Sequence, residues 1–385
     1  MEDILSKKEC SINKKTSIGG QALIEGIMMR GPKMTAMAVR NPEGEIVLEK
    51  WETETTARAK FFKLPIIRGV FGFIDSMRFG YKCLMRSAQI SGLDDLEEEA
   101  KREKEQKKAE KARKKALKKS GASEDEAVAE QTEETVAQAE TVAQTAEAQS
   151  EEKTAEEKKS SDALMNVIMA IAMLLGVALS ITLFIMLPSF IYKWVSALIP
   201  ALDPEHPALK SLVKSVFEGV LKIVILVGYM ALVSLMKDIR RTFQYHGAEH
   251  KTIFCYEHNK ELTVENVKGE RRFHPRCGTS FLILMLIVSI FISFFIDPVS
   301  ILITGDVPPT FLRALIRLLL LPIVMGIGYE LIKFAGRHDN LFTRIISAPG
   351  VWLQHLTVLE PTDDMIECAI TAFKEVIPED NSDNY

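Results

Sequence analysis

Two short polar stretches near the middle of the chain carry the side chains best suited to bind a metal ion. The first, at residues 246–250, reads His-Gly-Ala-Glu-His. On a helix, His246 and His250 lie one turn apart on the same face, so their imidazoles can ligate one ion. Glu249 beside them could act as a general base toward water, as in the inverted zincin pattern. The spacing therefore predicts a metal site, although polar helix ends beside a membrane also carry such residues without chemistry.

The second stretch, at residues 274–277, adds His274 and Cys277 as further candidate ligands. Arg276, together with the N-terminus of a following helix, would attract an anion such as phosphate or carboxylate. Glu25, in a glycine-rich N-terminal stretch, is a further candidate ligand or catalytic base. Imidazole, carboxylate and thiolate donors suit Zn²⁺ better than Mg²⁺, so the expected cofactor is a divalent metal, with Zn²⁺ as the best match. A proline-initiated helix with a buried cysteine would explain the second stretch without chemistry.

Four apolar segments, each near or above the roughly 20 residues that a bilayer requires, must position these stretches. The predicted spans are residues 163–192, 212–236, 279–296 and 311–335. Thr279 or Ser280 is expected to cap the third span. The predicted fold class is therefore a mainly α-helical membrane protein with about four transmembrane helices.

Basic residues are distributed unevenly among the loops between these spans. The segment 237–276, which holds both polar stretches, contains nine Lys and Arg residues, whereas 297–310 contains none. Because loops rich in Lys and Arg stay in the cytoplasm, the segment 237–278 and both termini are predicted to be cytoplasmic. The expected partner of the spans is the lipid bilayer.

The N-terminal part is expected to form a small cytoplasmic β unit followed by amphipathic helices. Residues 1–16 are a polar tail, and residues 17–60 contain a hairpin around the turn at residues 41–44. A third strand is expected around residues 22–28, since two strands alone are marginally stable. Residues 61–95 mix apolar and charged positions at helical spacing, which favours a pair of amphipathic helices at the membrane surface. A buried helix of a soluble subdomain is the alternative.

The remaining segments limit the classes of protein to which this chain can belong. Residues 96–160 are a charged, low-complexity insertion with too few apolar side chains for a core, so a disordered or single-helix linker is expected. The 385 residues include five scattered cysteines, which do not suggest a disulfide framework, and there is no clear nucleic-acid site. The C-terminal segment, residues 336–385, is expected to hold a turn at Pro349-Gly350 and a final amphipathic helix from Asp363.

Four motifs taken together resemble a known family. They read GGQALIEGIMMRGP at 19–32, HGAEHK at 246–251, HPRCGTS at 274–280 and SAPGVWLQ at 347–354. In this order they resemble the YqhQ family of bacterial membrane proteins, catalogued as domain of unknown function 1385. The resemblance covers residues 17–92 and 163–377 and omits the charged insertion. It implies a multi-pass protein of the bacterial cell membrane, loosely described as a metal-dependent enzyme, and it brings no substrate.

Three functions from different classes follow from these patterns. The first is a cytoplasm-facing, metal-dependent hydrolase of a membrane-associated substrate. The second is a non-enzymatic scaffold or assembly factor whose β unit binds a cytoplasmic protein partner. The third is a small transporter that uses the charges Lys214, Glu218, Lys222, Arg313, Arg317 and Glu330. These charges lie near predicted span ends, where snorkelling to the interface would explain them. The sequence leaves the oligomeric state open.

Overall fold

The computed structural model describes residues 14–53, 64–92, 171–202, 204–338, 340–380 and 382–383. Most of the predicted polar tail and the whole insertion at 96–160 lie outside the described residues. Residues 14–92 and 184–383 belong to one compact unit, while residues 171–183 are the described, helical part of a second. The described chain is mainly helical with one small sheet, which confirms the predicted fold class.

Four strands form an antiparallel sheet in the order β1-β2-β3-β4. They are β1 Gly19–Leu23, β2 Gly26–Arg30, β3 Met34–Arg40 and β4 Ile46–Glu52. The predicted hairpin corresponds to β3 and β4. The single strand expected around residues 22–28 is wrong, because the chain turns there and forms the facing strands β1 and β2. Glu25 makes this turn with a φ of 49°, a left-handed value that few non-glycine residues adopt.

Helices make up most of the remaining described chain. They are α1 Ile67–Ile90, α2 Ile171–Leu198, α3 Pro207–Val233, α4 Lys237–Glu257, α5 Val264–Lys268, α6 Gly278–Thr304, α7 Thr310–Arg337, α8 Leu341–Thr357 and α9 Asp363–Lys374. Helices α2, α3, α6 and α7 are each long and apolar enough to cross a membrane. These four helices therefore suit a lipid bilayer environment, as the sequence predicts.

Two expectations about local structure are wrong. The described part of residues 61–95 forms the single helix α1 instead of a pair. Pro349 and Gly350 lie inside α8 instead of forming a turn. A Cβ built at Gly350 would lie 2.5 Å from the Cβ of Ser280 on α6, so the glycine allows the two helices to touch. Packing between α8 and α6 thus overrides the local preference of Pro-Gly for a turn.

The central strands β2 and β3 are buried on both faces, which explains why β3 alternates only weakly between apolar and polar residues. One face packs on α4 and α9 through Ile27, Met29, Ala36 and Ala38. The opposite face packs on α1 through Met28, Met37 and Val39. The sheet therefore provides a rigid support for α4, the helix that carries the first polar motif.

Candidate metal centre

Helix α4 positions His246, Glu249 and His250. This helix is separate from the second span, because α3 ends at Val233 and α4 begins at Lys237. Gly247 lets α4 approach the chain that follows α8: a Cβ there would lie 1.9 Å from the Leu359 carbonyl oxygen. This close approach places His246 beside the C-terminal end of α8.

Three of the predicted ligands come together in space. One donor atom each from His246, His250 and Cys277 lies within 4.8 Å of the other two, and we call this group the His/Cys cluster. The Nε2 atom of His246 is 3.1 Å from the Sγ atom of Cys277. A tetrahedral zinc ion, with Zn–N and Zn–S bonds of about 2.0 and 2.3 Å, would separate such ligands by about 3.5 Å. The donor set and its spacing therefore fit zinc.

The outward-facing nitrogen of each histidine ring contacts a backbone carbonyl. Nδ1 of His246 lies 3.0 Å from the carbonyl oxygen of Thr357, and Nδ1 of His250 lies 2.5 Å from that of Arg272. Because a carbonyl can only accept, Nδ1 carries a proton, and each ring in its neutral form has its lone pair on Nε2. Histidines that bind metals are oriented in this way. Both rings are thus held in the tautomer that a shared ion requires.

Cys277 occupies the N-cap of α6, where its sulfur accepts the backbone N–H of Thr279 at 3.4 Å. The expectation that Thr279 or Ser280 caps this helix is therefore wrong. Burial opposes the thiolate, but the adjacent His246 imidazolium holds the pKa of the Cys277 thiol well below its usual value. The N-terminus of α6 favours the same anionic form. The thiolate is the form that binds metals.

Burial and nearby charge shift the pKa values of His246 and Glu249. Burial alone would lower the pKa of His246, but the adjacent Cys277 thiolate outweighs burial and raises that pKa to about 9. Burial raises the pKa of Glu249 despite the nearby imidazoles. One Glu249 oxygen accepts the N–H of Gly20 at 2.9 Å. A carboxylate with a raised pKa is better matched to proton transfer near neutral pH.

His274 and Arg276, two further predicted site residues, belong to a neighbouring network. Arg276 forms an ion pair with the fully buried carboxylate of Glu257, so a group of the protein itself occupies the anion contact predicted for this arginine. The His274 ring lies 3.7 Å from the same carboxylate, and burial lowers its pKa to about 4. Its ring centroid is 5.5 Å from that of His250. His274 therefore packs behind the cluster as a neutral ring.

Glu25, the remaining predicted ligand or base, lies at the β1–β2 turn and contacts Arg241 on α4. The two carboxylate oxygens of Glu25 accept hydrogen bonds of 2.5 Å from Nε and Nη2 of Arg241. This ion pair fixes the sheet to α4. The structure does not bring Glu25 together with the three clustered ligands.

Sequence reasoning missed Gln354, a fully buried residue on α8. Its side-chain amide donates to the carbonyl oxygen of His274 at 2.7 Å, and its oxygen accepts the N–H of His274 at 2.8 Å. These two bonds fix the backbone that leads to Cys277. The available signal was an uncharged polar residue within the SAPGVWLQ motif, one turn after the glycine that allows α8 to touch α6.

A cavity of about 340 Å³ borders β1, the strand whose Gly20 N–H donates to Glu249. Gly20, Arg30 and Phe79 contribute to its lining, and the guanidinium carbon of Arg30 lies 5.6 Å from the centroid of the Phe79 ring. Gly20 therefore contacts the cavity on one side and the Glu249 carboxylate on the other. The cavity lies on the α1 face of the sheet and Glu249 on the α4 face, so β1 separates the two.

Fold and site together define a multi-pass membrane protein with a buried cluster of two histidines and one cysteine at the beginning of its third membrane-spanning helix. The chain belongs to the family described as protein of unknown function (DUF1385), whose sequence model matches residues 64–379. It is 41% identical over 161 residues to the uncharacterized protein YqhQ of Bacillus subtilis (strain 168). That alignment covers 42% of this chain and 48% of YqhQ, so the chain matches about half the length of this relative. No solved structure matches the chain.

Proposed function

We propose that this protein is a metal-dependent hydrolase that acts on a membrane-associated substrate at the cytoplasmic face of the bacterial cell membrane. The observation that carries the proposal is the pair of histidines whose Nδ1 atoms are held by backbone carbonyls, with the Cys277 sulfur 3.1 Å from Nε2 of His246. Two nitrogens and one sulfur are donors that suit Zn²⁺. The metal would be held by His246, His250 and Cys277.

The number of protein ligands favours a catalytic role over a structural one. Structural zinc sites use four protein ligands, whereas catalytic sites use three and keep one position for water or substrate. When bound, a divalent ion would supply Lewis-acid polarisation of a carbonyl or phosphoryl oxygen. A scaffold that holds zinc only for stability would need a fourth protein ligand, and among the described residues only three donors form the cluster.

Glu249 would act as the general base. It precedes the ligand His250 on α4, its pKa is raised by burial, and the Gly20 amide fixes one of its oxygens. In this position it would accept a proton from the attacking water and pass it to the leaving group.

The location of the cluster suggests the substrate class. Cys277 directly precedes α6, so the cluster lies at the end of a candidate membrane span. A substrate anchored in the bilayer would present its polar group at this depth. The excess of Lys and Arg in residues 237–276 supports a cytoplasmic position for this end of the span.

Elemental analysis of the detergent-purified full-length protein would test the metal site. We expect about one zinc per chain in wild type and in His338→Ala, a control at an exposed histidine. His246→Ala and Cys277→Ser should lose the metal, whereas His274→Ala should keep it because His274 lies behind the cluster. Equal metal content in wild type and His246→Ala would refute the proposal.

A further inference from the structure

The helical bundle contains a second polar cluster, far from the first. We call it the remote charge cluster, and its members are Lys214, Glu218 and Lys222 of α3, Asp297 of α6, and Arg313 and Arg317 of α7. Helix α6 runs from Cys277 past Asp297, so the two sites lie about 30 Å apart along its axis. This length equals the thickness of the hydrocarbon core, which places the remote charge cluster toward the opposite side of the membrane.

Two ion pairs hold this cluster inside the bundle. Nη2 of Arg317 donates to Glu218 at 2.6 Å, and Nη2 of Arg313 donates to Asp297 at 2.8 Å. Asp297 also accepts the hydroxyl of Ser211 at 2.6 Å. All four charged side chains are at least nine-tenths buried. The explanation by snorkelling is therefore wrong for them, since they turn toward one another instead of toward the membrane surface.

Glu330, which the transporter hypothesis groups with these charges, does not join them. Its carboxylate forms an ion pair with Arg68 of α1, at the other end of α7. The remote charge cluster thus consists of groups near one end of the bundle only.

Positive charge exceeds negative charge in this cluster. Among the described residues it holds four cations and two carboxylates, a net charge of +2, and Glu218 is shared between Arg317 and Lys214. Lys222 is 5% exposed and makes no hydrogen bond or ion pair with any described residue. It lies within electrostatic range of both Glu218 and Arg317. The buried Nε atoms of Arg313 and Arg317 also have no hydrogen-bond acceptor in the described part of the chain.

Such an arrangement is unfavourable unless something compensates it. A buried charge in a membrane protein pairs with an opposite charge or faces a ligand path. Here Lys222 of α3 and Arg317 of α7 lie within electrostatic range of each other, and the buried Nε atom of Arg317 has no acceptor among the described residues. The arginines offer planar groups of N–H donors, a geometry that phosphate and carboxylate oxygens match.

We propose that the remote charge cluster binds an anion that carries a phosphate group, with Lys222 and Arg317 as its direct contacts. A phosphate with about two negative charges balances this net charge of +2. The phosphate comes either from an anionic phospholipid whose headgroup enters between α3 and α7 or from free phosphate. This site is independent of the His/Cys cluster and of its metal.

Thermal unfolding of the detergent-purified full-length protein tests the proposal. The melting temperature is measured with inorganic phosphate, with phosphatidylglycerol and with zwitterionic phosphatidylcholine. A site-bound anion at about 100 times its Kd should raise the Tm by about 5 °C, and phosphatidylcholine should not. A shift with phosphatidylglycerol alone identifies a lipid headgroup, and a shift with inorganic phosphate identifies the free anion.

Lys222→Met should abolish this shift, whereas Lys193→Met, which removes an exposed lysine of α2, should retain it. If Lys222→Met does not fold, Arg317→Lys takes its place and should weaken the response, because an ammonium cannot replace the planar guanidinium. The proposal is overturned if wild type responds to neither anion, or if the variant that folds responds as wild type does. Metal content should be the same in wild type and these variants, so the result does not depend on the hydrolase proposal.

Discussion

The two polar sites of this protein use charge in opposite ways. The His/Cys cluster combines two imidazoles, which can be neutral, with a thiol whose pKa is held low, so it presents lone pairs to a common centre. The remote charge cluster contains four cationic side chains and only two carboxylates, each of which is paired with an arginine. The first arrangement suits a cation and the second suits an anion. The comparison shows that buried polar residues in one helical bundle can be distinguished by their donor chemistry before any ligand is known.

The largest expected effect comes from breaking a buried pair in the remote charge cluster. Glu218→Leu would leave Arg317 buried without its carboxylate and should destabilise the protein by about 3–5 kcal/mol. The double variant Glu218→Leu/Arg317→Leu should recover most of this loss, because both charges are then absent. Equilibrium unfolding in detergent with a chemical denaturant measures both. A double variant no more stable than the single one would show that the pair is not energetically coupled.

Replacing one candidate donor of the His/Cys cluster tests whether this cluster binds a cation. Cys277→Ser should weaken zinc binding by more than about 100-fold, beyond the range typical of residues that only support ligands. A serine hydroxyl is not ionised at neutral pH but can still cap α6, so the fold should be retained. Competition with a chromophoric chelator measures the affinity, and circular dichroism checks the helices. An affinity within threefold of wild type would remove Cys277 from the ligand set.

Zinc affinity should depend on pH in a direction set by the imidazolium–thiolate pair. At neutral pH the metal-free protein holds a proton on His246, whose pKa is raised to about 9, while the Cys277 thiol is already ionised. Zinc must displace that one proton, so affinity should rise about tenfold per pH unit below about 9. Chelator competition at pH 6, 7 and 8 gives the slope. A flat profile would contradict the pairing of His246 with Cys277.

Cys277→Ser provides the matched control for this slope. Without the thiolate, nothing would raise the pKa of His246 so far. As the pH rises, the weakened zinc affinity should therefore reach its plateau at a lower pH than in wild type. The same steep slope in both proteins would assign the released proton to another group.

Gln354→Ala should have a smaller effect. It would leave the buried N–H and carbonyl of His274 without partners, which should destabilise the protein by about 2 kcal/mol. Because the same backbone leads to Cys277, zinc affinity should also fall by about tenfold. Gln244→Ala, which removes an exposed hydrogen bond on α4, is the control and should change neither quantity. Equal effects of the two substitutions would show that Gln354 does not support the site.

Much of the fold was predictable because a membrane constrains span length and composition strongly. The members of the His/Cys cluster, His246, His250 and Cys277, could also be predicted as candidate ligands, since helical spacing and ligand chemistry are local properties. The left-handed turn at Glu25 and the helical Pro349 could not, because long-range packing decides both. Nor does the sequence show which charges of different spans face one another.

His274 and Arg276 illustrate the same limit within the site. Their side-chain types suited a ligand and an anion contact, but both face Glu257. Glu257 lies eleven positions after His246 on α4, so three helical turns separate the two residues. Only the fold shows that the backbone after residue 273 passes this carboxylate before it reaches the cluster. The residue types of the 274–277 stretch identified it as part of the site. Tertiary contacts then place Cys277 in the His/Cys cluster and His274 and Arg276 beside Glu257.

The smallest expected effect concerns the contact between the sheet and Glu249. A Cβ at Gly20 would lie 2.6 Å from the Met28 carbonyl oxygen and 3.1 Å from the Glu249 carboxyl carbon, so Gly20→Ala must displace one of them. We expect a loss of about 1 kcal/mol, or about 2–4 °C in Tm, with zinc content unchanged. Gly19→Ala is a close control, since nothing lies within 4 Å of its added Cβ. If the Gly20→Ala and Gly19→Ala variants have the same Tm, β1 does not hold the Glu249 carboxylate tightly. The proposed base would then have to be positioned by α4 alone.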